Sequence, residues 1–218
     1  MVKPEHQTRF IAGRGILRYL IGNYLNLEPQ KVEFTYRDRG KPILAENNSS
    51  PPLQFNVSHS HNLGLYAFAY SDYEIGIDVE LMRPVSNVLS LAKRFFTEKE
   101  ASYLESLSSP EQIETFFQFW TAKEAYLKAT GEGLAGLENI EVMVSSSHSK
   151  QVEVSYSNQP VTLLSLALTD NFVATVACLG DECFKFDSLN TQQSEKMLPL
   201  LPSDACHYLQ LIVTDLDR

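Results

Sequence analysis

The sequence predicts an α+β protein made of two similar halves, each combining helix with antiparallel sheet. Apolar residues recur at helical spacing between Arg9 and Leu25, and short alternating strands follow. Capped helices between residues 97 and 131 precede a second set of strands. Because the order of helix and strands occurs twice, we place the break between the halves near Ser71 to Glu74.

This organisation divides the chain into three parts. We expect an N-terminal half over residues 1–74 and a C-terminal half over residues 75–186. Residues 187–218 are rich in Ser, Gln, Leu and Pro, and the pattern assigns them neither structure nor role. A chain of 218 residues is long enough for one large domain or two closely packed small ones.

The composition excludes several classes of protein. With 44% hydrophobic and 21% charged residues, the chain is globular rather than disordered or fibrous. A net charge of -9 would repel a phosphate backbone, so nucleic-acid binding is not expected. The sequence has no long apolar run and no signal peptide, which predicts no membrane association and a cytoplasmic location. The three cysteines all follow residue 177 and are expected to be free thiols.

The elements of the N-terminal half follow from periodicity and turn residues. The helix from Arg9 to Leu25 carries Arg14 beside its apolar face. VEFTY indicates a short strand, and the turn-like RDRGKP and the polar NNSSPP separate it from LQFNVSHS. GLYAFAY and YEIGIDVE indicate two buried strands, and the Ser71-Asp72 turn between them predicts a hairpin.

The C-terminal half begins with helices whose starts are marked in the sequence. Thr97 with Glu100 matches a capping box, and so does Ser109 with Gln112. Gly131 predicts the end of the second helix. The segments IEVMV, QVEVSY, VTLLSLAL and FVATVACL then alternate as strands divided by short turns.

Two carboxylates share one face of the strand YEIGIDVE. Alternation places Asp78 and Glu80 side by side, about 6.5 to 7 Å apart along the strand. Like charges this close require water, a cation or a raised pKa, and carboxylate oxygens suit Mg²⁺. A polar strand face in contact with solvent remains an alternative.

A third carboxylate lies within the apolar stripe of the second helix. The stripe contains Phe116, Trp120 and Leu127, and Glu124 falls among them. Because an unpaired buried charge is costly, Glu124 needs a cation, a donor or a metal. A local ion pair with Lys128, one turn further on, is the alternative.

The segment FNVSHS offers hydrogen-bond donors to an anion. Ser58 and His59 follow a strand, and Lys41 and Arg14 could join them in a phosphate pocket. The alternative is a polar turn whose side chains bond their own backbone.

Four motifs in this order resemble those of the 4′-phosphopantetheinyl transferases, specifically the long surfactin-type class. They are GKP at 40–42, FNVSHS at 55–60, IGIDVE at 75–80 and WTAKEAYLKATGEGL at 120–134. The resemblance implies a pseudo-twofold monomer that binds coenzyme A in the cleft between its halves. It also implies Mg²⁺-dependent transfer of 4′-phosphopantetheine from coenzyme A to a serine of an acyl or peptidyl carrier protein. Adenosine 3′,5′-bisphosphate is then the second product.

The resemblance also implies roles for individual residues. Asp78, Glu80 and Glu124 correspond to the carboxylates that bind Mg²⁺, and Glu124 is also the candidate base for the carrier serine. Lys128 corresponds to the lysine that contacts the diphosphate of coenzyme A. The residues expected to bind coenzyme A are Lys41, Ser58, His59, Lys123 and Arg14. For Lys123 a structural role is the alternative, and Trp120 is expected to be a core residue.

Two other functions remain open on the sequence alone. One is a module that binds coenzyme A or a carrier protein without catalysis, which would not need the full set of carboxylates and Lys128. The other is an unrelated Mg²⁺ phosphodiesterase, which would have no use for the GKP and SHS motifs. His61-Asn62 stands where relatives often have small residues, which predicts a changed adenine end of the pocket.

Overall fold

The computed structural model describes residues 4–145, 152–168, 171–180 and 209–217. The α-helices in this part of the chain are α1 (Pro4–Leu25), α2 (Val88–Phe95), α3 (Glu98–Glu105) and α4 (Ser109–Thr130). The strands there are β1 (Phe34–Tyr36), β2 (Pro42–Leu44), β3 (Leu53–Ser60), β4 (Leu63–Tyr70), β5 (Ile75–Leu81), β6 (Ile140–Val144), β7 (Val152–Ser157), β8 (Thr162–Ala167), β9 (Phe172–Cys178) and β10 (Leu209–Asp215). None of the described helices has the length and hydropathy needed to cross a membrane.

The α+β class is confirmed. The strand pairings described are all antiparallel. The chain forms two compact units, one of Met1–Asp72 with Phe184–Arg218 and the other of Tyr73–Cys183. Each unit contains a three-stranded sheet, of order β10-β4-β3 in the first and β5-β9-β8 in the second.

The core of the N-terminal unit lies between α1 and its sheet. α1 buries Leu17, Ile21 and Tyr24, whose spacing of three and four residues places them on one side of the helix. They belong to one apolar cluster with Phe55 of β3 and Phe68 of β4. The helix thus covers one face of the sheet, as its apolar periodicity predicts.

The predicted hairpin between the strands now numbered β4 and β5 is wrong. β4 pairs with β3 and β10, whereas β5 pairs with β9. The hairpin in this region is β3–β4, and its turn contains His61 in the left-handed region at φ 56°. Both β4 and β5 are almost entirely buried, so their apolar pattern indicates depth in a sheet without specifying a partner.

The end of the chain belongs to the N-terminal unit. β10 runs antiparallel to β4 over the whole of Leu209–Asp215. Immediately after it, Asp217 accepts two hydrogen bonds from the Arg9 guanidinium, at 2.7 and 2.8 Å. The described part of the tail, which had no predicted role, therefore completes a sheet.

In the C-terminal unit, α4 is buried on more than one side. Ala125 and Ala129 cluster with Ala177 of β9. Phe116 and Tyr126 belong to a separate cluster with residues of α2, α3 and β6. α4 is therefore a central helix rather than one with a single apolar stripe.

The helix ends follow the predicted signals with one shift. The capping box of Thr97 and Glu100 is confirmed, with the Glu100 carboxylate accepting the Thr97 N–H at 2.7 Å. The second box is formed one residue earlier than predicted, by Ser108 and Glu111. Gly131 ends α4 in the left-handed region at φ 77°, as predicted.

The cysteine prediction is wrong for Cys178. This residue, at the end of β9, is in a disulfide rather than a free thiol. Cys183 and Cys206 lie outside the described residues.

Candidate active site

The carboxylates of β5 lie on the face that packs against α4. Gly76, Asp78 and Glu80 alternate onto one side of the strand. A Cβ atom at Gly76 would lie 2.0 Å from the Ala125 carbonyl oxygen and 2.5 Å from the Ala129 nitrogen. The backbone of α4 therefore packs directly against Gly76. Because Asp78 lies on the same face of β5 as Gly76, this contact turns that face toward α4.

α4 contributes Glu124 and Lys128 from the turns that flank this contact. Both side chains are half-buried, whereas their immediate neighbours along the helix are almost all buried. A separation of four residues places them on the same side of the helix. They form a polar strip in the C-terminal half of α4, between buried neighbours.

Lys128 reaches across from α4 to the strand. Its ammonium lies 2.7 Å from Oδ1 of Asp78, and the two side chains are 30% and 7% exposed. The sequence suggested a local ion pair between Lys128 and Glu124, and it did not indicate this contact between α4 and β5.

The charges of the site are coupled. Burial raises the pKa of Glu124, and the negative charges of Asp78 and Glu80 raise it further, whereas Lys128 opposes the shift. Glu124 thus experiences both carboxylates of β5. The three predicted carboxylates and Lys128 therefore come together in one region of the C-terminal unit.

Ser58 and His59 lie within β3, not after a strand as predicted. Consecutive strand residues face opposite sides of a sheet. Ser58 is buried, with 6% of its surface exposed, whereas His59 is exposed. The two residues therefore do not present their side chains on a common face.

Arg14 and Lys41 both lie at the β1–β2 hairpin, Arg14 against β1 and Lys41 in the turn. The Arg14 guanidinium is 5.6 Å from the ring centres of Phe34 and Tyr36, the first and last residues of β1. Lys41 precedes β2, and its carbonyl accepts the Arg37 N–H at 3.0 Å across the turn. Aromatic rings fix the position of Arg14 while its charge is retained.

Comparison with known proteins identifies the family. Residues 74–177 match the 4′-phosphopantetheinyl transferase superfamily, and residues 1–70 match the N-terminal region of 4′-phosphopantetheinyl transferase. The chain is 48% identical over 177 residues to the 4′-phosphopantetheinyl transferase HetI of Nostoc sp. (strain PCC 7120), covering 81% of this chain and 73% of HetI. This chain belongs to the 4′-phosphopantetheinyl transferases.

Three further proteins are similar to this chain, and the first of them agrees with the surfactin-type class. The transferase is 31% identical over 157 residues to Sfp of Bacillus subtilis (strain 168), covering 72% of this chain and 67% of Sfp. It is 44% identical over 134 residues to a putative 4′-phosphopantetheinyl transferase of Synechocystis sp. (strain PCC 6803), covering 62% and 54% of the two chains. A Bacillus anthracis holo-(acyl-carrier-protein) synthase structure in complex with CoA (3′,5′-ADP) gives a TM-score of 0.41 at 27% identity, over 49% of this chain and 94% of that one.

The donor set of the transferase has the chemistry for a hard divalent cation. Asp78, Glu80 and Glu124 offer carboxylate oxygens, the ligands that Mg²⁺ prefers. Among the residues that the structure describes, no three acidic, His or Cys side chains are grouped as they stand to surround an ion. Coordination by all three carboxylates therefore requires their side chains to turn toward a common point.

Lys123 has an internal environment in place of the predicted contact with coenzyme A. Its side chain is 0% exposed and lies 3.1 Å from Oε1 of Glu100. Its ammonium also donates to the carbonyls of Leu137 and Ile140, at 3.0 and 2.5 Å. Burial lowers the pKa of Lys123, and the Glu100 carboxylate opposes that shift. With no exposed atoms, Lys123 serves the transferase structurally, which was the alternative.

Trp120 packs among aromatic rings, in agreement with its expected place in the core. Its ring stacks on Phe116 at 6.0 Å and meets Phe95 edge-on at 5.5 Å.

Three supporting residues were missed by the sequence reasoning. The hydroxyls of Thr121 in α4 and Thr175 in β9 are 3.2 Å apart, and Thr175 pairs directly with Asp78 in the sheet. Gly76 allows the close approach of helix and strand. Its signal was present in IGIDVE, where a glycine interrupts a buried strand and so indicates a backbone contact.

Proposed function

We propose that this transferase moves the 4′-phosphopantetheine arm of coenzyme A onto a serine of an apo acyl or peptidyl carrier protein. In this proposal Mg²⁺ is the cofactor and adenosine 3′,5′-bisphosphate is the second product. The observation that carries it is the meeting of α4 with β5, where the Lys128 ammonium lies 2.7 Å from Asp78. Glu124, one turn from Lys128, experiences the charges of Asp78 and Glu80 at the same place.

The N-terminal unit is proposed to bind the 3′-phosphate and adenosine of coenzyme A. Lys41 and Arg14 supply positive charge at the β1–β2 hairpin, and both side chains are half-buried. Ser58 and His59 add hydroxyl and imidazole groups from β3. Because they face opposite sides of that strand, we expect them to contact different parts of the ligand.

The transfer step assigns separate tasks to Glu124 and Lys128. The serine oxygen bonds to the phosphorus that carries the pantetheine arm, and that phosphorus loses its bond to the bridging diphosphate oxygen. Glu124 is the proposed acceptor of the serine proton, because its carboxylate lies on the half-buried side of α4, one turn from Lys128. Lys128 donates to the leaving phosphate oxygen and stabilises its charge. When held by Asp78, Glu80 and Glu124, Mg²⁺ would neutralise charge on the diphosphate.

The same resemblance that suggests these roles suggests that the transferase acts as a monomer. All of the proposed proton-transfer and metal-binding residues lie within one unit of one chain. A second copy is therefore not needed to supply them.

The test is incubation of the purified protein with coenzyme A, Mg²⁺ and a panel of apo carrier proteins. Mass spectrometry should show a carrier heavier by one phosphopantetheine group, located on a serine. Asp78→Asn should abolish the mass gain. Lys128→Met should slow the mass gain, because it removes the proposed contact of the leaving phosphate. Lys93→Met is its matched control, because Lys93 forms an ion pair with Glu105 on the surface of α2 and α3.

The outcomes separate the competing functions. A binding module would retain coenzyme A without changing the mass of any carrier. A phosphodiesterase would cleave coenzyme A equally well when the carrier is omitted. Either result would contradict the proposed transfer.

A further inference from the structure

The ion pair between Lys128 and Asp78 involves two groups that the proposed reaction needs separately. Asp78 is a proposed metal ligand, and Lys128 is the proposed contact of the leaving phosphate. In the structure they hold each other at 2.7 Å. Building on the proposed function, we propose that Lys128 is a resident counter-ion of Asp78 which Mg²⁺ displaces, so that metal binding releases the lysine to the diphosphate.

The competition follows from the burial of Asp78. Its side chain is only 7% exposed, so solvent screens its surroundings poorly. A divalent ion coordinated by Asp78 would lie close to the ammonium at Oδ1, and the two cations would repel each other. Lys128 is more exposed, at 30%, and its flexible four-carbon stem can swing away without unfolding α4.

The local charge favours the exchange. Glu124 experiences the charges of Asp78, Glu80 and Lys128 together, so the Lys128 ammonium lies in a region that contains several carboxylates. Lys128 carries a single positive charge with which to offset them. A divalent ion offsets two, so replacing the ammonium improves the neutralisation of the carboxylates.

The exchange would couple two steps of the reaction. As long as Lys128 is bound to Asp78, its ammonium is not available to a phosphate oxygen. Once the ion has taken its place, the same side chain can contact the diphosphate from the half-buried side of α4. Metal binding would thus prepare both the carboxylates and the lysine.

The experiment measures the chemical reactivity of Lys128 directly. The full chain is acetylated briefly with an N-hydroxysulfosuccinimide ester, with and without saturating Mg²⁺, and labelled peptides are quantified by mass spectrometry. NaCl of equal ionic strength controls for screening, and calorimetry measures Mg²⁺ binding. No coenzyme A is present, because a bound diphosphate would itself protect Lys128.

We expect Mg²⁺ to accelerate Lys128 labelling severalfold and to leave Lys93 unchanged. Lys93 is the matched control because it also forms an ion pair, with Glu105 at 3.3 Å. In the Asp78→Asn variant, Lys128 should label rapidly with or without Mg²⁺. If the wild-type protein binds Mg²⁺ while the labelling of Lys128 stays constant or slows, the exchange does not occur.

Metal affinity provides a second readout. Lys128→Met should bind Mg²⁺ about tenfold more tightly, similar to the effect of a neighbouring opposite charge on proton binding to a carboxylate. Lys128→Arg should remain near the wild type, since it keeps the competing charge. Unchanged or weaker binding by Lys128→Met would overturn the exchange, and so would a failure of the wild type to bind Mg²⁺. Carrier modification is measured independently, so transfer that persists in either case leaves the proposed transfer standing.

Discussion

The contact between Gly76 and α4 gives a sharp test of how the carboxylates are positioned. In Gly76→Ala the added Cβ atom would lie 2.0 Å from the Ala125 carbonyl oxygen and 2.5 Å from the Ala129 nitrogen. Optimal separations between such atoms are about 3.5 Å. Both obstacles are backbone atoms, so no side chain can rotate out of the way. Strand and helix must therefore move apart by roughly 1 Å or more.

Both stability and activity should report this displacement. Overpacking of a core costs about 1–3 kcal/mol, and we expect the upper end because backbone meets backbone. The helix also carries Glu124 and Lys128, and a displacement of about 1 Å in a site can reduce the rate about 100-fold. Urea unfolding followed by the fluorescence of the single tryptophan, Trp120 on α4, measures the first effect. The rate of carrier modification measures the second.

Gly15→Ala is the matched control, because it adds the same atom to a helix with nothing within 4 Å. It should stabilise the protein by up to about 1 kcal/mol, as alanine does in place of glycine in helices. Wild-type stability and wild-type activity in Gly76→Ala would refute the assignment of Gly76 as the contact that brings α4 to β5.

Other substitutions test the remaining interactions. Lys123→Met should lower the free energy of unfolding by about 3–5 kcal/mol in urea titrations, because it leaves the buried Glu100 carboxylate without its counter-ion. No loss would contradict the structural role. Lys41→Ala should raise KM for coenzyme A more than for dephospho-coenzyme A, and equal increases would place Lys41 away from the 3′-phosphate. Hydrogen bonds from Arg9 lower the pKa of Asp217 in the folded protein. The contribution of this pair to stability is therefore complete above pH 3.8, the ordinary pKa of the carboxyl group, and is lost as the pH falls through the lowered pKa of the folded state. The Tm difference between wild type and Arg9→Met should therefore be present at neutral pH and disappear in strong acid. A Tm difference that persists in strong acid would contradict this role of Asp217.

Placement within one element could be predicted from the sequence. Strand alternation assigns Asp78 and Glu80 to one face, and the structure puts both on β5 beside Gly76. The helical repeat assigns Glu124 and Lys128 to one side of α4. These relations depend only on the geometry of a strand or a helix, so packing does not alter them.

Partnership between elements could not be predicted in the same way. The apolar patterns of β4 and β5 indicate burial, yet β4 takes β3 and β10 as neighbours and β5 takes β9. The pairing of Lys128 with Asp78 spans 50 positions in the chain. Periodicity carries no information about such contacts, because it repeats within an element and ends with it.

The two lysines of α4 show why a motif assigns residue types more reliably than roles. Lys123 and Lys128 are five positions apart, which corresponds to about 140° around a helix of 3.6 residues per turn. One consequently points into the core toward Glu100, and the other lies beside Glu124 on the half-buried side. A helix enclosed on several sides makes this difference decisive, since the buried lysine must be paired inside the protein. Lys128 keeps partial access to solvent, and so of the two lysines it is the one that can exchange Asp78 for a phosphate.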